Sequence, residues 1–275
     1  DPYKKNQSTG LSLVDTIEWN RLTALIGVRH QKEQVEGGYN ASATSPSFGL
    51  MYKLNNNVSV YGNWMQGLIP GTEVDKKYAN KGQYLDPVKT TQREFGFKWD
   101  KGNLGGTLSY FHINQQIPYA DPVTNIYDYN GKQQSKGASF TVYGDITEKL
   151  HLLGGMSFMN VKNIGGTYDG NRYCGTPKWI GTLAMTYDVT DAFSLNTRLM
   201  YNSSAWADNK NTKKIGAWTR LDLGAKYKWT NMKNPMTLSC NVINVLGHKY
   251  WYGAGDNSVY LGTPRTFVVS LGIDF

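Results

Sequence analysis

The sequence predicts an all-β chain, an antiparallel transmembrane β-barrel, and three observations carry that prediction. Hydrophobicity alternates with period two nearly everywhere, the connections are short and long by turns, and the apolar faces end in aromatic rings. Strict alternation marks strands that divide two unlike surroundings. Brief turns on one side, long loops on the other and aromatic girdles describe a barrel with lipid outside and water or a polar plug inside.

Taken in order, the alternation places about thirteen strands, near 11–18, 22–32, 45–53, 58–68, 92–99, 104–115, 136–145, 149–160, 180–187, 193–203, 217–229, 236–243 and 264–275. The first two hinge on Trp19-Asn20, and Leu22 to Arg29 alternates along the second. Asn55-Asn56-Asn57 joins the third and fourth. Glu94-Phe95-Gly96-Phe97-Lys98-Trp99 alternates in the fifth and hands over through Asp100-Lys101-Gly102-Asn103 to the sixth. Thr147-Glu148 and Thr190-Asp191 divide the next two pairs. In 220–229 one face reads Leu, Leu, Ala, Tyr, Trp and the other Arg, Asp, Gly, Lys, Lys. Phe193 to Leu199, Met236 to Val242 and Thr266 to Phe275 repeat the pattern, and Asn231 to Pro235 supplies a last short turn. Asn, Asp, Gly and Thr are the residues that tight turns favour. Long polar loops are expected near 33–44, 69–91, 116–135, 161–179, 204–216 and 244–263.

Composition excludes other classes. Aromatics at 13% of 275 residues bury too much surface for a disordered chain. Mean hydropathy is −0.50, and no stretch approaches the roughly 18 uncharged apolar residues of a spanning helix. Two cysteines, Cys174 in a loop and Cys240 on the lipid-facing phase, give neither a disulfide framework nor a zinc set. A bond between them is not expected. The net charge of +8 calls for an anionic partner, whether nucleic acid, lipopolysaccharide phosphate or an acidic ligand, without choosing among them. The opening Asp1-Pro2-Tyr3 has neither an initiator Met nor a leader and reads as a processed product or a fragment.

The long loops hold the aromatics that the wall does not need, among them Tyr119, Tyr127, Tyr129, Tyr173, Trp206, Tyr250, Trp251 and Tyr252, together with cations such as Arg172, Lys76, Lys77 and Lys213. An aromatic, cationic mouth suits a bulky, partly apolar, anionic solute. The same residues also suit loop packing and lipopolysaccharide phosphates. His30, His112, His151 and His248 are scattered, with no His-x-x-x-His pair, no G-x-S-x-G elbow and no P-loop, so no enzyme is expected.

A family resemblance enters at the C-terminal end. Asn241-Val242-Ile243-Asn244-Val245-Leu246 followed by Tyr250, then Gly262-Thr263-Pro264-Arg265-Thr266 and the final Phe275, resemble the closing pattern of TonB-dependent siderophore receptors. Ser45-Pro46-Ser47-Phe48-Gly49-Leu50-Met51-Tyr52 resembles the family's S-P-x-x-G-L-x-Y strand, and Gln92 to Lys98 its Q-x-E-x-G-x-K strand. Gln134-Ser135-Lys136-Gly137-Ala138-Ser139 resembles its R-S-x-G-x-E segment, with Gln134 in the Arg place and Ser139 in the Glu place.

The resemblance implies that residues 1–275 are the C-terminal part of a 22-stranded barrel whose N-terminal plug, with the TonB box, and first strands lie outside this chain. It implies an outer-membrane receptor that binds a ferric siderophore or similar chelate externally and imports it with TonB-derived energy. Iron would travel inside the chelate, so no directly bound cofactor or protein metal ligand is expected. TonB, outer-membrane lipid and lipopolysaccharide are the implied partners, and nucleic acid is not. Candidate ligand contacts are Trp251 and Tyr252 in the last loop, then Tyr119, Tyr127, Tyr129, Arg172, Tyr173 and Trp206. Asn241 and Asn244 are expected to bond neighbours in the lumen or a turn, and Phe275 to end a strand at the periplasmic girdle. The alternative is a passive porin-type channel in which Arg198, Arg220, Lys226 and Lys228 line the lumen.

Overall fold

A computed structural model describes residues 5–231, 233–255 and 257–274. Asp1-Pro2-Tyr3 and Phe275 lie outside the described residues. In chain order the strands are β1 (Asn6–Trp19), β2 (Leu22–Val35), β3 (Asn40–Lys53), β4 (Val58–Ile69), β5 (Val88–Lys101), β6 (Leu104–Ala120), β7 (Tyr127–Thr147), β8 (Leu150–Ile164), β9 (Trp179–Asp188) and β10 (Phe193–Asn202). The short β11 (Ala205–Trp206) and β12 (Lys214–Ile215) come next, then β13 (Trp218–Trp229) and β14 (Met236–Ile243). β15 (Trp251–Gly255), β16 (Ser258–Leu261) and β17 (Thr266–Ile273) complete the chain. Thirteen of these form one sheet in the order β1 to β10, β13, β14, β17, and the other four pair as two ribbons within loops. The sheet is open, with β1 and β17 at its edges.

Register explains why the alternation survives across strands. Leu223, Ala225, Tyr227 and Trp229 of β13 stand opposite Val242, Cys240, Leu238 and Met236 of β14. Those four in turn face Phe267, Val269, Leu271 and Ile273 of β17. One side of this region is therefore continuous hydrocarbon, and the other carries Lys226 beside Ser239 and Ser270, and Lys228 beside Thr237. A slip of one residue would invert every face. Cys240 sits on the apolar side and is exposed there, apart from the buried Cys174.

The short turns are built as their residues require. Asn20 takes a left-handed φ of 53° and Gly102 one of 63°, a region that Gly and Asn enter at low cost. Asn55 Oδ1 accepts the amides of Asn57 and Val58 at 2.8 and 2.9 Å. Thr147 and Thr190 hydroxyls likewise accept the amides of Leu150 and Phe193.

Two of the expected long loops are corrected. Where the sequence predicts loops over 33–44 and 116–135, strands run on and leave only 36–39 and 121–126 as connections. In these extensions the covered face, as at Ile117 and Tyr119, packs on neighbouring strand and loop residues rather than lipid, so the ladder continues among mostly polar residues that read as loop. The 121–126 turn is closed by Asp121, whose Oδ1 accepts the Val123 and Thr124 amides at 2.9 and 2.8 Å, and by Asn125 at φ 54°. Tyr119, Tyr127 and Tyr129 accordingly lie on strands rather than in a loop.

Two compact units make up the chain, the first comprising Asp1–Phe97, Ser109–Gly137 and Asn160–Tyr173, the second Lys98–Leu108, Ala138–Met159 and Cys174–Phe275. In the first, Val74 is buried and the Tyr78 and Tyr127 rings stack at 4.5 Å. In the second, Trp99 stacks on Phe140 and Phe158 packs on Trp179. Leu223→Arg, which sets a charge at mid-wall on the apolar side, should cost the folded protein about 2–4 kcal/mol in a bilayer. Lys226→Gln, on the wet side, should change stability by less than about 0.5 kcal/mol. Urea titration of protein folded into lipid vesicles measures both.

Candidate functional site

The second unit contains a cavity of about 450 Å³ among three of its outer loops. Its walls include Gly175 and Pro177, Ala205, Ile215 and Gly216, and Trp251, Tyr252 and Gly253, with Trp218 and Arg220 contributed by the wall strand β13. The volume lies within the roughly 300–1,000 Å³ typical of small-ligand pockets. A larger depression of about 650 Å³ lies against the β1–β2 turn at Trp19, Asn20 and Tyr52. Its one cation, Arg21, donates to the Leu54 carbonyl at 3.3 Å, so the first cavity is the richer in chemistry.

Backbone constraints at the outer end of β13 build that cavity. Trp218, Arg220 and Asp222 share the face opposite Leu221 and Leu223, and so point away from lipid. Trp218 stacks on Tyr250 with ring centroids 4.3 Å apart, and the Arg220 Nη1 donates to the Tyr250 hydroxyl at 3.4 Å. Asp222 Oδ2 accepts Arg198 Nη2 at 2.9 Å and Arg220 Nη2 at 3.0 Å. Asp222 is only 11% exposed and Arg220 13%, whereas Arg198 is 48% exposed. Two guanidiniums thus share one carboxylate, and the cluster keeps one positive charge beside the aromatic cavity.

Asn244 joins this cluster to the last loop. Its amide donates to Asp222 Oδ1 at 2.8 Å, its Nδ2 donates to the carbonyls of His248 and Thr263, and its Oδ1 accepts the His248 amide. With φ at 54° and no exposed surface, Asn244 holds both ends of the loop that carries Trp251 and Tyr252. Asn241 accepts from Asn196 Nδ2 at 3.3 Å across the wall. Both asparagines bond neighbours, as expected from the sequence.

The candidate contacts divide between the units. Trp251 and Tyr252 meet in the cavity wall. Trp206 does not line it; its neighbour Ala205 does, and the Lys214 Nζ lies 6.0 Å from the Trp206 ring. In the first unit, Tyr119 is 8% exposed, donates to Asn163 Oδ1 at 2.6 Å and packs edge-on against Tyr168. Tyr127 stacks on Tyr78, over which the Lys77 Nζ sits at 5.0 Å. The Tyr129 amide donates to Asp128 Oδ1 at 2.7 Å. Arg172 pairs with Lys162 in an isolated antiparallel backbone bridge, and the Tyr173 amide donates to the Val161 carbonyl. Arg220 and Trp218 are absent from the sequence-based set of contacts. A Trp on the polar phase of a wall strand was the signal that could have found them.

Of the histidines only His248 comes near the cavity's aromatic wall among the described residues, its ring centroid 6.5 Å from that of Tyr250. His151 lies between Asp145 and Asp188 at 2.5 and 3.0 Å near the short-turn end. His30 bonds the Thr44 hydroxyl. Among the described residues no group of three or more His, Cys, Asp or Glu could hold a metal ion.

Asp222→Ala would leave Arg220 buried without its counter-charge and the Asn244 amide without its acceptor. Stability should fall by about 2–4 kcal/mol, somewhat less than for a fully buried pair because Arg198 reaches water. Chemical denaturation with hydrogen exchange at Asn244 checks this. Asp208, in the loop of β11 and β12, accepts the Thr212 hydroxyl at 2.7 Å and the Thr212 and Lys213 amides. The Thr212 hydroxyl foremost, and the two amides, hold its carboxyl below the usual carboxylate range, with burial opposing them. A depressed carboxyl stabilises above its unfolded pKa, and that contribution is lost as pH falls through the folded one. The Thr212 and Lys213 amides should stay protected from exchange at about pH 5 and lose protection only below the usual carboxylate range. Asp208→Ala should remove the protection at both pH values.

The family model described as TonB dependent receptor-like, beta-barrel, matches residues 1–245. The ferrichrome receptor FcuA of Yersinia enterocolitica is 29% identical over 301 aligned residues, taking in 100% of this chain and 40% of that receptor. The metal-pseudopaline receptor CntO of Pseudomonas aeruginosa is 25% identical over 99% of this chain and 42% of its own length. Among solved structures, BauA, the ferric preacinetobactin receptor of Acinetobacter baumannii, superposes with a TM-score of 0.84 at 28% identity, covering 99% of this chain and 43% of that one. The chain spans about two-fifths of the length of these relatives. All three are receptors, for ferrichrome, metal-pseudopaline and ferric preacinetobactin, and none is a passive porin. The matched wall, its alternating faces and its thirteen ordered strands make the chain a member of the TonB-dependent receptor β-barrel family, the barrels of the bacterial outer membrane.

Proposed function

We propose that the chain is the C-terminal part of a receptor that captures a ferric siderophore, or a similar metal chelate, at its external mouth and imports it with energy drawn from TonB. The observation that carries this reading is the cavity where Trp218, Trp251 and Tyr252 surround the edge of the Arg220–Asp222–Arg198 cluster. Rings give a bulky chelate contact area at little entropic cost, and the surplus guanidinium charge favours an anionic oxygen on its rim. Trp251 and Tyr252 are the first contacts, with Arg220 as the charge that orients the ligand. Trp206 is a further proposed contact in the same unit, and Tyr127, Tyr129, Arg172 and Tyr173 are proposed contacts of the first unit, where Tyr119 steadies Asn163 and Tyr168.

Iron arrives within the chelate, so the protein supplies no metal ligand and performs no chemistry on its cargo. The 22-stranded closure, the plug and the TonB box belong to the whole receptor and lie outside this chain. Lipid acyl chains meet the apolar side of the wall, while the exposed lysines of the outer loops face lipopolysaccharide phosphates.

Replacing Trp251 and Tyr252 together by Ala in the intact receptor should weaken binding of its ferric chelate at least about tenfold, roughly 1.4 kcal/mol. Titrating the purified receptor with ferric hydroxamate, catecholate and carboxylate complexes measures this and names the class. Unchanged affinity for every complex bound would remove both residues from the site.

A further inference from the structure

Two of the cavity's walls touch through bare backbone. Gly175, in the segment between β8 and β9, and Gly253, in β15, approach so closely that a Cβ built on Gly253 would overlap the Gly175 Cα and lie 3.3 Å from its nitrogen. The reverse substitution differs. A Cβ on Gly175 would meet Gly253 at an ordinary 3.5 Å, although φ at Gly175 is 70°, where a side chain is strained. Nothing flexible stands between the two segments to absorb a methyl group at 253.

Both segments are pinned on their far sides. The Gly175 amide donates to the Trp206 carbonyl at 2.7 Å, and the Cys174 amide to Asn209 Oδ1 at 3.2 Å. On the other flank the Asn257 amide donates to the Ala207 carbonyl at 2.7 Å, and the Lys213 Nζ to Asn257 Oδ1. The 203–217 loop therefore anchors the other two, and the distance between them is fixed where the glycines meet. Pro177 lines the cavity from one segment, Trp251 and Tyr252 from the other.

Resting on the reading of this cavity as the chelate site, we propose that the Gly175–Gly253 contact sets its width, and so makes Gly253 a determinant of how bulky a chelate is accepted. A side chain at 253 must part the two loops, because backbone on both sides leaves no other outlet. Parting them enlarges the cavity and withdraws Trp251 and Tyr252 from a compact ligand. The selectivity is thus for bulk rather than for the chelating group.

The test compares the intact wild-type receptor with Gly253→Ala and has two arms. Without ligand, hydrogen exchange over 174–178 and 250–255 should rise at least about fivefold in Gly253→Ala. It should not rise in Gly216→Ala, whose added methyl meets nothing within 4 Å. Equal exchange in the two variants overturns the contact as a constraint. With ligand, a ferric trihydroxamate and the same chelate extended by an aryl group are titrated. The wild type should prefer the compact complex, and Gly253→Ala should shift the ratio of the two affinities at least about tenfold toward the bulkier one. Loosened loops with an unmoved ratio overturn the selectivity role. Wild type that binds none of the hydroxamate, catecholate or carboxylate complexes counts against the receptor reading, while the exchange arm still decides the loop contact.

Discussion

A polypeptide inside hydrocarbon must satisfy its own amides and carbonyls, because no water is there to do so. For a chain built of strands this demands an unbroken ladder, and the order β1 to β10, β13, β14, β17 supplies one. The ladder in turn fixes the alternation of faces. Leu223, Cys240 and Leu271 point to lipid because Asp222, Asn241 and Ser270 point the other way. Each side chain's environment follows from its register, and register follows from the neighbour across the ladder. Hydrophobic burial in a core, which organises a soluble domain, has a smaller part here.

Where the strands leave the bilayer the demand for alternation ends but the ladder persists. β6 and β7 continue to Ala120 and from Tyr127, with Ile117 and Tyr119 buried on one face, closed by the Asp121 turn. Beyond them, loops too irregular for a ladder satisfy their backbone through side chains instead. Asn244 makes four such bonds, and Asp208 gathers one hydroxyl and two amides. These two residues do for the loops what strand pairing does for the wall.

This division explains what could be read from sequence. The thirteen wall strands were legible, since lipid on one side and water on the other impose period two on Met236 to Val242 and, with Thr197 the one polar residue on the apolar phase, on Phe193 to Leu199. The outer extensions were not, because strands whose covered face packs on loop residues rather than lipid resemble a polar loop, which is why Tyr119, Tyr127 and Tyr129 seemed to belong to one. Trp251 and Tyr252 stood out as adjacent rings with no place in a wall. Trp206 stood out equally, yet its short strand turns Ala205 to the cavity, a matter of two residues' phase that no periodicity can fix. Arg220 read as one lumen charge among four, because its pairing with Asp222 and Arg198 depends on β10 lying beside β13.

The arginine cluster shows how wall and site are coupled. Asp222 is the acceptor for Arg198 on the neighbouring strand, for Arg220 on its own, and for the Asn244 amide at the root of the last loop. With one arginine the pair would be neutral and an incoming anion would meet a dipole. With two, the carboxylate is shared, and an anion about 4 Å from Arg220 gains on the order of 4 kcal/mol at an effective dielectric of 20, against a weaker repulsion from the more distant Asp222. That attraction pulls on Arg220, whose bond to Asp222 also steadies Asn244 and the loop bearing Trp251. An anionic ligand bound there would therefore act on the same carboxylate that anchors the loop over it, and its charge would be felt at the outermost residues of the wall strands.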